Sequence, residues 1–269
     1  MLAMCCLMAL FSCEHEISFD YPVSEKKVFF EGQVSNEGVF VRISETRPMT
    51  DSAKSQSISD AQVWIASDDG MEEQLYFDSR QQCFLSPSGL VGTEGRTYTM
   101  RAMVGGRQYE ASSTMLPPAA VDSVFFRWVD VLQERIYFFC IMGTDAIPDS
   151  RNYYLCRLWR DGELFRWNPR SGRTSVDGVY EYDIICNSEK EIKDGVDEEG
   201  LIPLREGDII HAEIISYERD CWEFFQSLFY GQSTTANPIT NIKGGAQGIF
   251  MAANITRPEP VVFHRAVEE

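Results

Sequence analysis

Histidine serves catalytic and metal-binding sites more often than any other side chain at neutral pH, and this chain of 269 residues has three, at positions 15, 211 and 264. There is no H-E-x-x-H motif and no histidine pair at helical spacing, whereas a catalytic zinc normally takes two or three histidine ligands. The G-x-S-x-G motif of hydrolases is also missing. A hydrolase would need His211 or His264 beside a serine and a carboxylate in a deep pocket. We therefore expect no metal site, no cofactor and no enzymatic activity.

Clustered carboxylates and glycines are the next candidates for chemistry. Residues 68–73 and 194–200 are rich in Asp and Glu, but neither segment has the ligand order of a calcium loop, so both predict solvated acidic loops. Residues 243–248 (KGGAQG) do not match a P-loop, because the lysine precedes the glycines and the strand-like GIFMAA follows. These glycines predict a bend or a close backbone approach before the last strands.

Aromatic side chains that stack on sugar rings offer a non-catalytic alternative. Trp159 and Trp167 lie on either side of a predicted turn at Asp161 and Gly162. Aromatic residues in strands more often pack into a core. The two tryptophans are therefore kept as weak candidates for contact with a ligand or a partner.

The clearest chemical signal is at the start of the chain, MLAMCCLMALFSC. Residues 1–12 are uncharged and apolar or small, which fits a signal peptide and is too short to span a bilayer. Residues 10–13 (LFSC) resemble the lipobox of bacterial lipoproteins, where the cysteine is acylated and the chain is cut before it. We predict a signal peptide over 1–12, and an acylated Cys13 with a tether over 13–26. The leader departs from the usual pattern because it has no Lys or Arg.

Two acidic residues, Glu14 and Glu16, follow Cys13 closely. Acidic residues at this place resemble the surface-export signal of Bacteroidetes lipoproteins; the alternative is a merely solvated tether. The sequence thus predicts a protein anchored in the outer membrane through acylated Cys13 and facing the cell exterior.

Five cysteines remain beyond Cys13, at positions 83, 140, 156, 186 and 221. An odd number excludes a complete disulfide framework, and no C-x-x-C motif supports zinc or redox chemistry. Cys140 and Cys156 lie on consecutive predicted strands and are a possible pair. We expect the five to be mainly small buried apolar residues.

Composition limits the remaining functions. The chain has 24 Lys and Arg against 41 Asp and Glu, a net charge of −17, which argues against nucleic acid as a partner. A hydrophobic fraction of 44% supports a folded core, and the length favours two domains.

The first of these domains is predicted over residues 27–117 as an immunoglobulin-like β domain. Its best local signal is RTYTMRAMVGGRQYEASST, residues 96–114. Gly105 and Gly106 suit a type I′ turn, which would pair Val104 with Arg107. The prolines at 117 and 118 then mark the boundary, because proline cannot donate to a β ladder.

The second domain is predicted over residues 118–269 as β-rich, with one amphipathic helix over about 217–230. Apolar residues recur there at spacings of three and four, and Ser216 is the expected N-cap. The acidic stretch 187–200 is predicted to be exposed, and 168–178 to be a loop. The fold class expected is therefore mostly β, with two β-sandwich-like domains and one packed helix on the second.

These features together resemble a Bacteroidetes lipoprotein family catalogued as domain of unknown function 4249. The resemblance extends from Ser12 to about Phe263 and rests on the order and spacing of its segments. The segments are SCEHEI, VFFEGQVSNE, ISDAQVWIASDDG, GTEGRTYTMRAMVGGRQYEASSTMLPP, VDSVFF, REGDIIHAEIISYERDCWEFFQSL and NPITNIKGGAQGIFMAAN.

The resemblance implies two β domains on a lipid anchor and an accessory role beside a TonB-dependent outer-membrane transporter. It supplies no catalytic or ligand residues apart from the lipobox Cys13. We expect a non-enzymatic accessory or binding subunit of a TonB-dependent nutrient transporter; a stand-alone surface glycan-binding module is the alternative.

Overall fold

A computed structural model describes residues 25–47, 55–144, 151–173, 178–197, 200, 202–231 and 237–265. The predicted leader, Cys13, Glu14 and Glu16 lie outside these residues. Within them, every helix is too short or too polar to cross a membrane.

The described chain is mostly β, as predicted, with sixteen strands and two helices. The first half contains β1 (Val28–Ser35), β2 (Gly38–Glu45), β3 (Gln62–Ser67), β4 (Glu72–Gln74), β5 (Tyr76–Asp78), β6 (Cys83–Leu85), β7 (Thr97–Val104) and β8 (Arg107–Thr114). The second half contains β9 (Ala120–Val131), β10 (Glu134–Thr144), β11 (Arg151–Arg160), β12 (Glu163–Arg173), β13 (Val179–Ser188), α1 (Glu189–Asp194), β14 (Ile209–Ser216), α2 (Arg219–Gly231), β15 (Gln247–Thr256) and β16 (Val261–Val262).

One long sheet runs through both halves of the chain. Its strand order is β12-β11-β14-β15-β1-β2-β6-β5, and β16 pairs with β14. The halves meet where β1 and β15 pair in parallel, with Phe30 opposite Gly248. A four-stranded sheet, β4-β3-β7-β8, and a three-stranded sheet, β13-β10-β9, complete the described architecture.

Each smaller sheet covers one part of the long sheet and encloses its own core. The four-stranded sheet forms the first core, where Phe30, Ile65 and Met100 are fully buried. The three-stranded sheet forms the second core, where Tyr137, Leu158 and Phe263 are fully buried. Two sandwich-like units are therefore present, and they share a continuous sheet.

The last part of the chain contributes to the first core. Phe250 and Ala252 of β15 are fully buried among residues of β1, β2, β3 and β7. The boundary expected at Pro117 therefore does not separate the two cores along the chain. The reason is that β15 returns to pair with β1 and carries its alternate side chains into the first core.

Helix α2 covers the opposite face of the long sheet. Ile249, Met251 and Ala253 of β15 point away from the first core and pack with Cys221 and Phe224 of α2. The predicted helix is therefore confirmed within two residues at its start and one at its end. Ser216 is not its N-cap, because its hydroxyl instead donates to the carbonyl of Pro117 at 2.5 Å.

Among the described residues, the Ser216 hydroxyl is one of three side-chain groups that hydrogen-bond to the segment between β8 and β9. Asn254 Nδ2 donates to Leu116 O at 2.5 Å, and Thr256 Oγ1 donates to Ala119 O at 3.1 Å. Carbonyls near the prolines, which have no ladder partner, are thus satisfied by β14 and β15. The two units are fixed to each other by these bonds as well as by the shared sheet.

Both turn predictions are confirmed. Val104 pairs with Arg107 across Gly105 and Gly106, and Arg160 pairs with Glu163 across Asp161 and Gly162. All four turn residues have positive φ, as a type I′ turn requires.

The glycine-rich residues 243–248, at the start of β15, behave as predicted. Gly244 has a φ of +101°, and a Cβ there would lie 2.6 Å from Gln108 O. Gly248 has a φ of +107°, and a Cβ there would overlap the Phe30 carbonyl. The sequence prediction of a close backbone approach is confirmed.

Two sequence interpretations need correction in the second half. The stretch predicted as a loop after Trp167 continues β12 to Arg173, because it pairs with β11. The stretch 187–200 was predicted to be exposed, but Asn187 and Asp197 are buried and a second helix, α1, lies between them. The capping box of α1 joins the Ser188 side chain to Glu191 N and the Glu191 side chain to Ser188 N.

The five cysteines of the described body are buried and free, which confirms that they act as small apolar residues. Cys140 and Cys156 do not pair, because β10 and β11 belong to different sheets. β10 and β11 follow each other in the chain but are not neighbours in a sheet.

Candidate binding groove between strands β12 and β13

A groove of about 710 Å³ lies between β12 and β13. These strands end two different sheets, and among the described strands each is paired on one side only. The apolar lining includes Phe138, Leu164, Trp167, Ile184, Ile185 and Phe229. The charged lining consists of Arg166, Arg170, Asp183, Glu191 and Asp197.

Arg166 is the central charged residue of the groove. Its Nη2 lies 2.5 Å from Asp197 Oδ2 and donates to Cys186 O at 2.9 Å, while Nη1 donates to Phe165 O at 3.1 Å. Its guanidinium also lies 4.5 Å from the centre of the Phe165 ring. With Asp197 only 2% exposed, the ion pair is shielded from water. Arg166 is therefore fixed in one orientation.

A second guanidinium spans the same gap. Arg170 Nη2 donates to Asp183 O, so Arg166 and Arg170 of β12 both bind carbonyls on the free edge of β13. The Asp183 carboxylate itself pairs with Arg127. Side chains, rather than backbone pairing, join the two sheets at this edge.

The thiol nearest to the groove is not a nucleophile. Cys186 lines the cavity but is buried, and burial raises its pKa to about 12. The thiolate, which is the reactive form, is therefore negligible at neutral pH.

Trp167 and Trp159 have different places in the structure. Trp167 lines the groove and packs edge-on against Phe229 of α2, with ring centres 5.1 Å apart. Trp159 lies opposite His211 in the pairing of β11 with β14 and does not line the groove. Of the two candidate contacts, the structure brings only Trp167 to the cavity.

The histidines of the described body lie elsewhere. His264 Nδ1 is 2.7 Å from Glu206 Oε1 at an exposed position. His211 is exposed on β14, on the same face as Glu213, whose carboxylate pairs with Arg257. In the part of the chain that the structure describes, no group of three or more His, Cys, Asp or Glu is arranged to hold a metal.

The sequence profile of one family, described as a domain of unknown function (DUF4249), matches residues 14–259. The chain belongs to this family. Comparison with curated proteins gave no match. The family resemblance drawn from the residues is thus confirmed, and the match covers the groove, the first core and most of the second core.

In this DUF4249 protein, sequence reasoning missed the ion pair at the centre of the groove. Asp197 stands in an acidic run, which is normally solvated, and its partner is 31 positions away. No local signal marked Arg166, because it alternates with Phe165 and Trp167 and that pattern predicts a side chain on the solvent face of a strand.

Taken together, the groove presents fixed charges, apolar walls and backbone carbonyls, without a nucleophile or a metal cluster among the described residues. Its volume falls in the range of about 300–1,000 Å³ that is typical of ligand sites. The arrangement is suited to binding.

Proposed function

We propose that this protein is an outer-membrane lipoprotein that serves as a non-enzymatic accessory or binding subunit of a TonB-dependent nutrient transporter. The observation that carries the proposal is the groove between β12 and β13. Its charged residues are held in place before any ligand arrives, and a preorganised site loses less conformational entropy on binding.

The anchor in this proposal is Cys13. The residues before it have the length and polarity of a signal peptide, and LFSC has the order of a lipobox. Acylation at Cys13 would attach the body to the outer membrane, where Glu14 and Glu16 favour export to the cell exterior. A membrane-bound subunit is held close to a barrel in the same membrane, which raises its effective concentration there.

A second surface favours a protein partner. The β9–β10 hairpin exposes Trp128 on β9, and Val131 and Leu132 at its turn, where Leu132 is 97% exposed. Apolar side chains gathered at one exposed end are typical of an interaction site.

The proposal is tested by purifying the tagged full-length protein from native outer membrane in mild detergent and identifying its companions by mass spectrometry. A TonB-dependent barrel protein in comparable molar amount supports the proposal. Recovery of the lipoprotein alone contradicts it. Cys13→Ala serves as the control, because it should lose both the lipid mass and the companion.

A stand-alone glycan-binding module is the second candidate, and Trp167 favours it. This ring lines the groove beside Asn168, and amide side chains commonly bind sugar hydroxyls. If the protein retained oligosaccharides from a yeast mannan or starch digest, and Trp167→Ala but not Trp159→Ala abolished retention, this function would be preferred.

A further inference from the structure

The groove follows the free edge of β13. Four consecutive residues of this strand, Asp183 to Cys186, line it. Neighbouring residues of a strand point to opposite faces, so a cavity that meets all four must run alongside the backbone edge. Over these four positions an extended chain covers about 10 Å.

Part of this edge is already bonded in the way that a neighbouring strand would bond it. Asp183 O accepts from Arg170, and Cys186 O accepts from Arg166. These guanidinium groups donate where the N–H groups of a paired strand would otherwise donate. These two carbonyls of β13 therefore face β12 across the groove and are bonded to its guanidinium groups.

The two arginines differ in how firmly they are held. Arg166 is fixed by Asp197, by two carbonyls and by the Phe165 ring. Arg170 Nε is buried and has no hydrogen-bond acceptor among the described residues. A buried donor without an acceptor is costly, so the position of Arg170 is less favourable than that of Arg166.

The side chains along this edge are also those of a pairing site. Ile185 is 62% exposed on the free strand, and Leu164 and Phe138 line the groove on either side of it. Natural proteins usually protect a free edge with lysine, proline or a covering element. An exposed apolar side chain at this place is expected where another strand is meant to bind.

The charges of the groove disfavour strongly anionic ligands. Two arginines face three carboxylates, and Arg166 and Asp183 each already have an opposite charge beside them. A phosphate-rich ligand would need a net positive site. A polymer with uncharged amide donors and acceptors matches these charges.

We propose that the groove binds an extended, uncharged peptide segment that lies along the free edge of β13. This inference rests on the proposed function, since it names the ligand class of the binding subunit. The peptide would bind by strand addition, with backbone hydrogen bonds to β13 and apolar side chains against Ile185 and Leu164.

The test uses full-length protein in detergent, immobilised by its tag and exposed to a tryptic digest of casein. Retained peptides are identified by mass spectrometry. Wild-type protein should enrich peptides that share an uncharged, apolar-rich segment. Ile185→Asp should reduce their retention about tenfold or more, because it places a charge beside the bound backbone.

Ile209→Asp is the matched control. Ile209 is an isoleucine on a strand at 48% exposure, and it does not line the groove. It should retain peptides as the wild type does. Circular dichroism of both variants shows whether they fold alike. Equal retention by Ile185→Asp, or no peptide retained by the wild type, overturns the proposal.

Two further measurements distinguish a failure of the ligand assignment from a failure of the proposed function. A mannan or starch digest offered in the same way would reveal a glycan ligand, and retention of glycans alone overturns the peptide assignment. Co-purification of a barrel protein is measured independently. If the barrel co-purifies while peptides are not retained, the proposed function stands and only the ligand class fails.

Discussion

Arg166 Nη2 lies 2.5 Å from Asp197 Oδ2, and this pair joins β12 to the segment that follows α1. Both side chains are largely excluded from solvent, with exposures of 16% and 2%. Because β12 and β13 are not paired with each other in the described chain, the ion pair is one of the few contacts that set the width of the groove.

Removal of Asp197 should therefore destabilise the fold. Asp197→Ala leaves the Arg166 charge without its partner, and we expect a loss of about 3 kcal/mol in the free energy of unfolding. Urea denaturation followed by circular dichroism measures it. Asp194→Ala removes a nearby carboxylate that pairs with Lys190 in solvent, and it should leave the denaturation midpoint unchanged. Equal effects of the two variants would contradict the role given to the buried pair.

Gly248 should be the most sensitive glycine of residues 243–248. Gly248→Ala would place a methyl group on the Phe30 carbonyl at a φ of +107°, and we expect a loss of at least about 3 kcal/mol. Gly245 has a φ of +86° with open space around it, so Gly245→Ala should cost only about 1 kcal/mol. Thermal unfolding of both variants gives the comparison. A smaller loss of stability for Gly248→Ala than for Gly245→Ala would contradict the close approach of Gly248 to the Phe30 carbonyl of β1.

Acid should weaken the fold through Glu189. Hydrogen bonds from Arg265 and from the Tyr137 hydroxyl hold the pKa of Glu189 below its usual value of 4.5. A carboxyl whose pKa is lowered by folding stabilises the protein above its unfolded pKa, and this contribution is lost as the pH falls through the folded pKa.

The urea concentration at the denaturation midpoint should accordingly decrease as the pH is lowered from about 5 to about 3, a range that brackets the ordinary pKa of Glu189. Glu189→Gln should show a shallower pH dependence than the wild type. The exposed Glu163→Gln should keep the wild-type dependence. If Glu189→Gln and the wild type lose stability in parallel, the ion pair with Arg265 does not contribute as described.

The thiols offer a test of both burial and acylation. Burial raises the pKa of Cys156, Cys186 and Cys221 to about 12, so a thiol reagent should react very slowly with the folded protein at neutral pH. In guanidinium, a processed lipoprotein with acylated Cys13 should expose the five cysteines of the body. The unprocessed chain, with all 8 cysteines, would expose more, and that count would refute acylation.

Local patterns predicted the parts of the fold that depend on neighbouring residues. Gly105 and Gly106 set the register of a hairpin because the turn geometry involves only those residues and the strand ends next to them. The apolar stripe of α2 could also be predicted, because apolar residues that recur every three or four positions lie within one short segment of the chain. The pairing of Phe30 with Gly248 joins positions far apart in the chain, and no local pattern specifies such a partner.

The candidate site was less accessible to sequence reasoning. Trp167 was selected as an aromatic residue near a turn, but Trp159 satisfied the same description and lies away from the groove. The difference arises from α2, which packs on Trp167 from a distant part of the chain. Helix α1 did have a local signal, Ser188 followed three residues later by Glu191, which is the capping-box pattern.

The two tryptophans therefore give a direct comparison. Trp167→Ala should lower the retention of casein peptides, because it removes part of the apolar wall of the groove. Trp159→Ala should leave retention unchanged. The two retained amounts are compared after circular dichroism shows that both variants are folded. A loss with Trp159→Ala alone would place the ligand on β11, outside the groove.

A subunit that passes a ligand to a transporter must open its groove toward that transporter. Helix α1 stands at the groove, since Glu191 lines it, and Lys190 and Lys193 of the same helix are solvent-exposed. Lys243, also exposed, lies before β15 and does not line the groove.

Amine-reactive cross-linking in intact native cells, followed by mass spectrometry of the linked peptides, tests this account most directly. We predict links from Lys190 or Lys193 to a TonB-dependent barrel protein, and fewer or none from Lys243. Links to the barrel from Lys243 alone, or no link to any such protein, would contradict the proposed function.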